Sequence, residues 1–402
     1  MDKLMLTEVY NCWNSLRPYR SERLRCKNYT YGEQWKDIVT AEGGRRITEE
    51  QYIREQGSSP LKNNLIRRIV RNVLGVFRNN YSIPGFEEAA KRQYGTEYTE
   101  SDTMERLKTL YGANVGRNCL GEIYSRVMEE YLIGGLAVVR KRITTVGGDG
   151  VMTDMVRPDS FFFNTDATDP RGWDIRLIGE IHTLSDERIP QGMTGRRLVE
   201  VWRMEPTGWR YYFIDEGENI LFEGDSPFPY GGHPYVVKAY PFIDGEIHSF
   251  VADCIDQQRY INRLITLNDW IIRASAKGVL LFPESAIPDD LELEEIAAQW
   301  SRYNGVIRYK AKAGVPNPQQ VSTNTSNAGI SELLGVQLKM MEDVSGINSA
   351  LQGQLTSGAV SGKLYEQQTR HALTGLADIM EGFRVFMLDS ALKDLQLLEM
   401  ML

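Results

Sequence analysis

The residues best suited to chemistry in this sequence are its histidines, its cysteines and two pairs of adjacent acids. Histidine and cysteine side chains could hold a metal ion or act as nucleophiles, but none of them stands at a metal-ligand spacing such as HExxH or CxxC. The acid pairs, Asp289-Asp290 and Glu294-Glu295, point in different directions if they lie on a helix. Acids near the positive end of a helix dipole explain them better. The histidines and cysteines are His182, His233, His248, His371, Cys12, Cys26, Cys119 and Cys254.

The glycine-rich and nucleophile motifs of common enzymes are missing from the chain. There is no GxxxxGK[ST] loop to cradle phosphates, no GxGxxG fingerprint and no GxSxG elbow. A packaging ATPase or a helicase needs such a phosphate-binding loop, so both functions are excluded. We predict no catalytic residue, no cofactor and no metal, and we keep an enzyme without a recognisable motif as an alternative.

The composition is that of an ordinary globular protein, with 402 residues, 42% of them apolar and 25% charged. This length fits two or three domains or one elongated subunit with several lobes. No apolar run approaches the roughly 20 residues that cross a bilayer, and Met1-Asp2-Lys3-Leu4 does not begin a secretory signal. We therefore expect no membrane partner and a reduced, cytoplasmic environment during assembly.

The charge is distributed unevenly along the chain. The net charge is −8, but residues 17–92 contain 16 Lys and Arg against 9 Asp and Glu, a local balance of +7 that leaves −15 elsewhere. The segment could be a basic lobe among acidic ones without a special role. Alternatively, different lobes face different partners.

Periodicity divides the chain into a helical part, a β-rich part and a second helical part. Residues 1–135 are predicted to be mostly helical, with apolar positions at helical spacing from Leu61 to Phe77. From residue 136 to residue 247 the period changes to two, which predicts strands. A long amphipathic helix follows over residues 248–277.

The residues after 277 also alternate between short predicted strands and predicted helices. Strands are predicted at 279–282 and 305–309 around a helix over 289–303, and another helix spans 329–344. A polar loop rich in Gly, Ser and Gln comes next. The last forty residues are helical in pattern and contain Gly375 and Gly382, where we expect bends.

This order of elements resembles the portal proteins of tailed bacteriophages, most of all those of short-tailed phages. The phrases that carry the resemblance are Tyr31–Trp35 (YGEQW), Asp256–Leu264 (DQQRYINRL), Gly346–Gly353 (GINSALQG) and Ser361–Gln368 (SGKLYEQQ). Many members of that family continue well past the final helix, so any crown in this chain is minimal.

The resemblance implies an α+β fold class, a portal-like elongated subunit whose parts have family names. The parts are a wing (1–247, β-rich over 136–247), a first stem helix (248–277), a clip (278–328), a second stem helix (329–345), a tunnel loop (346–362) and a long bent wing-to-crown helix (363–402). It further implies a homo-oligomeric ring, expected to be a dodecamer, at a capsid vertex of the virion. Double-stranded DNA would be packaged and ejected through it.

Other virion proteins would be its partners. The clip would receive the terminase large subunit during packaging and head–tail adaptor or tail proteins afterwards, while the major capsid and scaffold proteins would surround the ring. The acidic candidates for this docking are Glu292, Glu294 and Glu295. A merely solvated helix face is the alternative.

A DNA conduit must hold the duplex without gripping it, because every phosphate contact adds affinity. We expect the polar tunnel-loop residues to line the channel: Asn348, Ser349, Gln352, Gln354, Thr356, Ser357, Ser361 and Lys363. Stem cations would add occasional phosphate contacts: Arg259, Arg263, Arg273, Lys277 and Lys339. The alternatives are a plain surface connection for the loop and exposed ion pairs on a helix face for the cations.

Two helices with wide apolar stripes need a surface to cover them. Repetition around a cyclic axis would bury the stripe of one subunit against the next, and the predicted contacts are Ile261, Leu264, Ile265, Ile271, Leu334 and Leu338. An intramolecular helix pair is the alternative. Another ring-forming connector, adaptor or tail protein is the rival function, although such proteins usually lack the helix–clip–helix excursion.

Overall fold

A computed structural model shows a mixed α+β protein, which confirms the fold class at that level. The residues it describes are 2–95, 101–144, 150–164, 166–169, 172–183, 197–228, 232–277, 279–301, 306–311, 313–321, 328–347 and 374–402. Its α-helices are α1 (Asp2–Ser15), α2 (Arg17–Tyr31), α3 (Glu49–Glu55), α4 (Leu65–Asn80), α5 (Phe86–Tyr94), α6 (Asp102–Arg117), α7 (Leu120–Gly134), α8 (Phe250–Lys277), α9 (Leu293–Ser301), α10 (Ala328–Ser345) and α11 (Ala377–Glu399).

Short antiparallel strands complete the fold. They are β1 (Ile38–Thr40), β2 (Arg46–Thr48), β3 (Leu136–Thr144), β4 (Gly150–Met155), β5 (Phe161–Phe163), β6 (Leu177–Thr183), β7 (Arg197–Glu205), β8 (Gly208–Ile214), β9 (Ile220–Asp225), β10 (Tyr235–Ala239), β11 (Phe242–Ile243), β12 (Glu246–Ile247), β13 (Val279–Leu281) and β14 (Gln319–Val321). The predicted change from helices to strands near residue 136 is confirmed, as is the return to helix at α8.

The chain forms two compact units. Unit 1 comprises Met1–Asp37, Asn64–Gln258 and Met340–Leu402, and unit 2 comprises Ile38–Asn63 and Arg259–Lys339. Residues 38–63, which the sequence pattern grouped with the N-terminal helices, thus cluster with a segment some two hundred residues later. Helices α8 and α10 each begin in one unit and end in the other.

Unit 1 contains two larger sheets and the two-stranded sheet of β11 and β12. Strands β5 to β9 form a five-stranded antiparallel meander in sequence order, and β3 lies between β10 and β4 in a second sheet. Aromatic and branched residues from both sheets, among them Phe161, Trp202 and Tyr235, share one buried cluster. The sequence predicted strands over 136–247 from the alternation of apolar and polar positions, and β3 to β12 lie in this range.

A buried carboxylate connects the two sheets. Glu200 on β7 accepts hydrogen bonds from Arg140 on β3 (2.8 Å) and from the Trp202 indole (2.7 Å). The ring Nε2 of His182 lies 2.7 Å from the second carboxylate oxygen. Burial opposes ionisation, but Arg140 and His182 nevertheless hold the pKa of Glu200 below its ordinary value. His182 is therefore part of a buried structural network.

The C-terminal helix α11 packs on α5, α6 and the β3 sheet. It continues without a break through Gly382, where a bend was predicted. A Cβ atom there would stand 2.8 Å from the Tyr131 hydroxyl, so glycine lets the helix approach α7 closely. The C-terminus of α7 was predicted correctly, since Gly135 ends it in the left-handed region with φ 72°.

An ion pair fixes α11 against the sheet. The ammonium of Lys141 on β3 donates to Asp394 on α11 (2.7 Å) and to the Thr153 hydroxyl (2.8 Å), and both charged side chains are fully buried. Burial lowers the pKa of Lys141 and raises that of Asp394, and their mutual attraction opposes both shifts. Each charge therefore depends on the other.

Unit 2 is built from short elements. Strands β1 and β2 form a hairpin that leads into α3, and β13 pairs with β14 in antiparallel register. The strand predicted at 305–309 is wrong in the part that the structure describes, because residues 306–311 form no strand. The partner of β13 lies instead in the polar stretch near residue 320, where side-chain pattern gave no sign of a strand.

The buried ion pair predicts a large effect of a small change. Asp394→Asn removes the counter-charge of Lys141 and should lower the free energy of unfolding by about 3 kcal/mol, because the lysine is left buried and unpaired. Arg384→Gln on the same helix breaks only an exposed pair with Glu381 and should cost less than about 1 kcal/mol. Urea unfolding of both variants measures the difference, and equal losses would contradict the assigned role.

Candidate functional site

The site predicted from the sequence centres on α8, and its first half belongs to unit 1. Ser249 caps the helix by accepting hydrogen bonds from the amides of Val251 and Ala252. Gln258, fully buried, accepts from the amides of Leu65 and Ile66. It thereby satisfies free donors in the first turn of α4. In this half of α8, the polar side chains of Ser249 and Gln258 therefore form hydrogen bonds with backbone groups of the same chain.

The second half of α8 belongs to unit 2 and holds residues 38–63 in place. Asn262 accepts a hydrogen bond from the amide of Asn63 (3.1 Å), and Thr266 accepts one from the amide of Leu61 (3.1 Å). Both side chains are buried. The polar positions between the apolar ones are thus occupied by contacts within the chain.

Two of the predicted channel cations are held by one carboxylate. Glu49, buried at the start of α3, accepts from Arg259 Nε (3.2 Å) and from Arg263 Nε (2.7 Å). A capping box fixes the start of α3, since Thr48 and Gln51 each bond the backbone amide of the other. Arg263 stays half exposed in spite of this contact. The two arginines and Glu49 together carry a net charge of +1.

The other predicted cations lie on more open positions. Arg273 forms an i,i+4 ion pair of 2.8 Å with Asp269, and both are exposed enough for solvent to weaken the pair. Lys339 on α10 is exposed. The side chain of Lys277 lies outside the described residues, as do the whole of the predicted tunnel-loop set: Asn348, Ser349, Gln352, Gln354, Thr356, Ser357, Ser361 and Lys363.

The predicted interface residues divide by burial. Ile261 and Leu264 are already buried within the single chain, whereas Ile265, Ile271 and Leu334 are half-buried and Leu338 is exposed. Four other apolar side chains, which the sequence analysis did not select, are more exposed than any residue of this set. They are Leu267 (44%), Trp270 (49%) and Ile272 (50%) on α8, and Val336 (52%) on α10. Sequence periodicity marks an apolar stripe but cannot say which part of it the chain itself covers.

Helix α10 is poorly covered. Among its described side chains only Gln337, Met341 and Ser345 are buried. Two of these three are polar, although the helix also carries Leu333, Val336 and Leu338. A helix normally turns its apolar stripe toward a core, so this helix has apolar surface that the chain leaves in contact with water.

A groove of about 560 Å³ runs beside the exposed residues of α8 in unit 2. Tyr52 and Ile53 of α3 line one side, Leu267 and Trp270 line the other, and Glu49 with Arg263 lies at its polar end. The groove combines apolar walls with one charged group.

The three acids predicted for docking lie at the start of α9 and are exposed. Glu295 has a local role, since its carboxylate accepts from the amide of Glu292 (3.4 Å) at the helix N-terminus. Nearby Asp289 and Asp290 are paired with Lys310 and Arg308. Glu292 and Glu294 thus remain the carboxylates available at this surface.

His233, Asp389 and Lys393 line a cavity of about 200 Å³ in unit 1. His233 is half-buried against Trp209, and loss of solvation lowers the pKa of its ring well below the ordinary value. Lys393, whose pKa burial lowers to about 7, donates to the carbonyl oxygens of His233 and Tyr235. No group of three or more His, Cys, Asp or Glu suited to a metal occurs in the described part of the chain. None of the helices described there is long and apolar enough to cross a membrane.

Sequence reasoning missed Glu49, Gln258, Asn262 and Thr266, although one signal was available. Thr48-Glu49-Glu50-Gln51 has the spacing of a capping box and marks a helix start at Glu49. The partners of these residues are about two hundred positions away, and such a distance leaves no local pattern.

The Glu49 contact predicts a specific loss of stability. Glu49→Gln should lower the free energy of unfolding by about 2 kcal/mol, because two guanidinium groups lose their charged acceptor. It should also speed hydrogen exchange over residues 46–63. Glu50→Gln is the matched control, since Glu50 makes only an exposed i,i+4 pair with Arg54. If both variants behave alike, Glu49 does not secure this segment.

A family model described as "Phage P22-like portal protein" matches residues 179–393, more than half of the chain. The matched span contains the meander strands β7–β9, helices α8, α9 and α10, and most of α11. No match was found among curated proteins. The chain therefore belongs to the P22-like family of phage portal proteins.

Proposed function

We propose that this chain assembles into a closed ring at a capsid vertex, through which double-stranded DNA is packaged and later ejected. Membership of the P22-like portal family, over residues 179–393, is the observation that carries the proposal. The ring we expect is dodecameric, and its role is that of a conduit and docking platform of the virion without a reaction of its own. Assembly would take place in the host cytoplasm.

The exposed apolar residues of α8 and α10 support a ring. Burial of apolar surface contributes about 25 cal/mol per Å², and contiguous exposed patches on a monomer mark interaction sites. A head-to-tail contact, with α10 of one copy against the groove beside α8 of the next, repeats until the rotation closes. Because this interface joins two different surfaces, each copy keeps one surface free for the next copy, and the assembly is a ring when the rotation closes.

We assign the interface to the exposed part of the stripe. The proposed interface keeps four residues that were predicted from the sequence, which are Ile265, Ile271, Leu334 and Leu338. It adds four exposed residues, which are Leu267, Trp270, Ile272 and Val336. Ile261 and Leu264 support it from inside, because they pack within the chain and hold α8 straight. Substitutions at these two buried positions would test folding before they tested assembly.

The channel is proposed to be lined by the tunnel-loop residues 346–362 together with Lys363 and the more open cations Arg273 and Lys339. An overall charge of −8, with few positive side chains in the channel itself, would let a duplex slide. Arg259 and Arg263 share Glu49, so they would offer DNA less charge than two free arginines. The loss of phosphate affinity is an advantage in a conduit.

Docking is proposed for the clip, residues 278–328. The terminase large subunit and, later, adaptor or tail proteins would contact the exposed start of α9, where Glu292 and Glu294 are available and Glu295 is tied to the helix. Basic side chains on the partner would complement these acids. Capsid and scaffold proteins would contact other parts of the ring.

The interface can be tested with exposed positions. Trp270→Glu and Val336→Glu should each abolish rings while leaving the circular dichroism spectrum unchanged, because half-exposed side chains contribute little to the monomer. A loss of about 2 kcal/mol per contact corresponds to roughly 30-fold weaker association of each pair. Arg273→Gln is the control on the same helix and should form rings. Size-exclusion chromatography with light scattering reports the outcome, and rings from both Glu variants would refute this interface.

The tunnel loop can be tested by deletion. Removing residues 350–358 should leave rings intact, since the apolar faces are untouched, but should impair packaging or retention of DNA. Replacing the same nine residues by a Gly-Ser stretch restores length without the side chains and separates the two contributions. Electron microscopy and a packaging assay give the readout. Failure of the deleted chain to form rings would mean that the loop is a structural element instead.

A further inference from the structure

A basic surface on α4 has no part in the ring or the channel proposed above. Residues 56–86 contain five basic side chains, Lys62, Arg67, Arg68, Arg71 and Arg78, and no Asp or Glu. In a protein with 54 acidic residues among 402, a stretch of this length without one is notable because no local charge neutralises the arginines. The helix is therefore strongly cationic along its length.

The arginines of α4 lie on two sides of a well-packed helix. Its inner face is buried and apolar, formed by Leu65, Ile66, Ile69, Val70, Val73 and Phe77. Arg68, Arg71 and Arg78 are exposed on the outer face, and we call these three residues the α4 basic face. Their spacing of three and seven residues keeps them on one side, over about 15 Å of helix axis.

Partners within the chain do not neutralise this face. Arg67, outside the set, is paired with Glu129 and lies 4.6 Å over the Tyr31 ring. Arg78 donates to the neutral hydroxyl of Ser125 (3.2 Å) and keeps its full charge. Arg68 and Arg71 make no hydrogen bond or ion pair with the residues that the structure describes.

Several exposed arginines elsewhere in the protein pair with an acid one turn away on the same helix. Arg54 pairs with Glu50, Arg126 with Glu122 and Arg384 with Glu381. The α4 basic face has no acid available at that spacing, since residues 56–86 contain no Asp or Glu. A row of cations that the fold holds rigidly and leaves without counter-charges is suited to a polyanion.

We infer that the α4 basic face binds the phosphate backbone of duplex DNA, as a contact surface additional to the proposed channel. Duplex DNA carries one negative charge per about 1.7 Å of axis when both strands are counted, so a length of about 15 Å contains about nine phosphates. Guanidinium groups match phosphate oxygens well. Contacts to phosphate oxygens carry no information about the base sequence, so the binding that we infer is independent of sequence.

The salt dependence of binding tests this inference. The assembled protein is titrated against a short labelled duplex by fluorescence anisotropy at several salt concentrations. Arg68→Gln with Arg71→Gln should reduce the slope of log K against log salt by about two, because each lost phosphate contact removes about 0.9. The matched control, Arg54→Gln with Arg384→Gln, changes the net charge equally and should leave the slope unchanged.

Two results would overturn the inference. An unchanged slope in the Arg68/Arg71 variant would mean that DNA does not touch this face. If polyglutamate of equal charge displaces the duplex as effectively as unlabelled DNA does, the face binds acidic protein surfaces instead. Light scattering of the same variant keeps this question apart from ring formation, since rings should form normally whether or not the face binds DNA.

Discussion

The structure depends on one constraint, which is that α8 and α10 carry more apolar side chains than the single chain can cover. Residues such as Trp270 and Val336 are about half exposed, although each would contribute roughly 2 kcal/mol if it were buried. The chain uses the inner part of the same stripe, Ile261 and Leu264, for its own core. In the ring that we propose, another copy covers the outer part, so folding and assembly would use adjacent rows of the same helix.

The polar residues of α8 obey a related rule. Gln258, Asn262, Thr266, Arg259 and Arg263 are all used to hold other segments of the chain, either through backbone amides or through Glu49. Each of these bonds joins α8 to a segment some two hundred residues away in the chain. The same contacts reduce the positive charge that α8 can offer to DNA. The surface that we infer to bind DNA lies instead on the outer face of α4, within residues 56–86, which contain no Asp or Glu.

Much of the fold could be predicted from the sequence. Helices α4, α7, α8 and α10 follow from apolar spacing and from glycine or capping residues at their ends, which are local signals. The strand pairing of β13 with the polar segment Gln319–Val321 could not be predicted, because its register depends on backbone bonds that side-chain pattern does not reveal. The close approach at Gly382 could not be predicted for a similar reason. The glycine is needed by the neighbouring Tyr131, which is 251 residues earlier in the chain.

The mass of the purified wild-type protein tests the central claim most directly. Light scattering combined with negative-stain imaging should give closed rings with a mass near twelve times the 45.8 kDa of one chain. A species of 45.8 kDa alone, at every protein and salt concentration tried, would mean that the exposed rows of α8 and α10 remain uncovered and that the account is wrong.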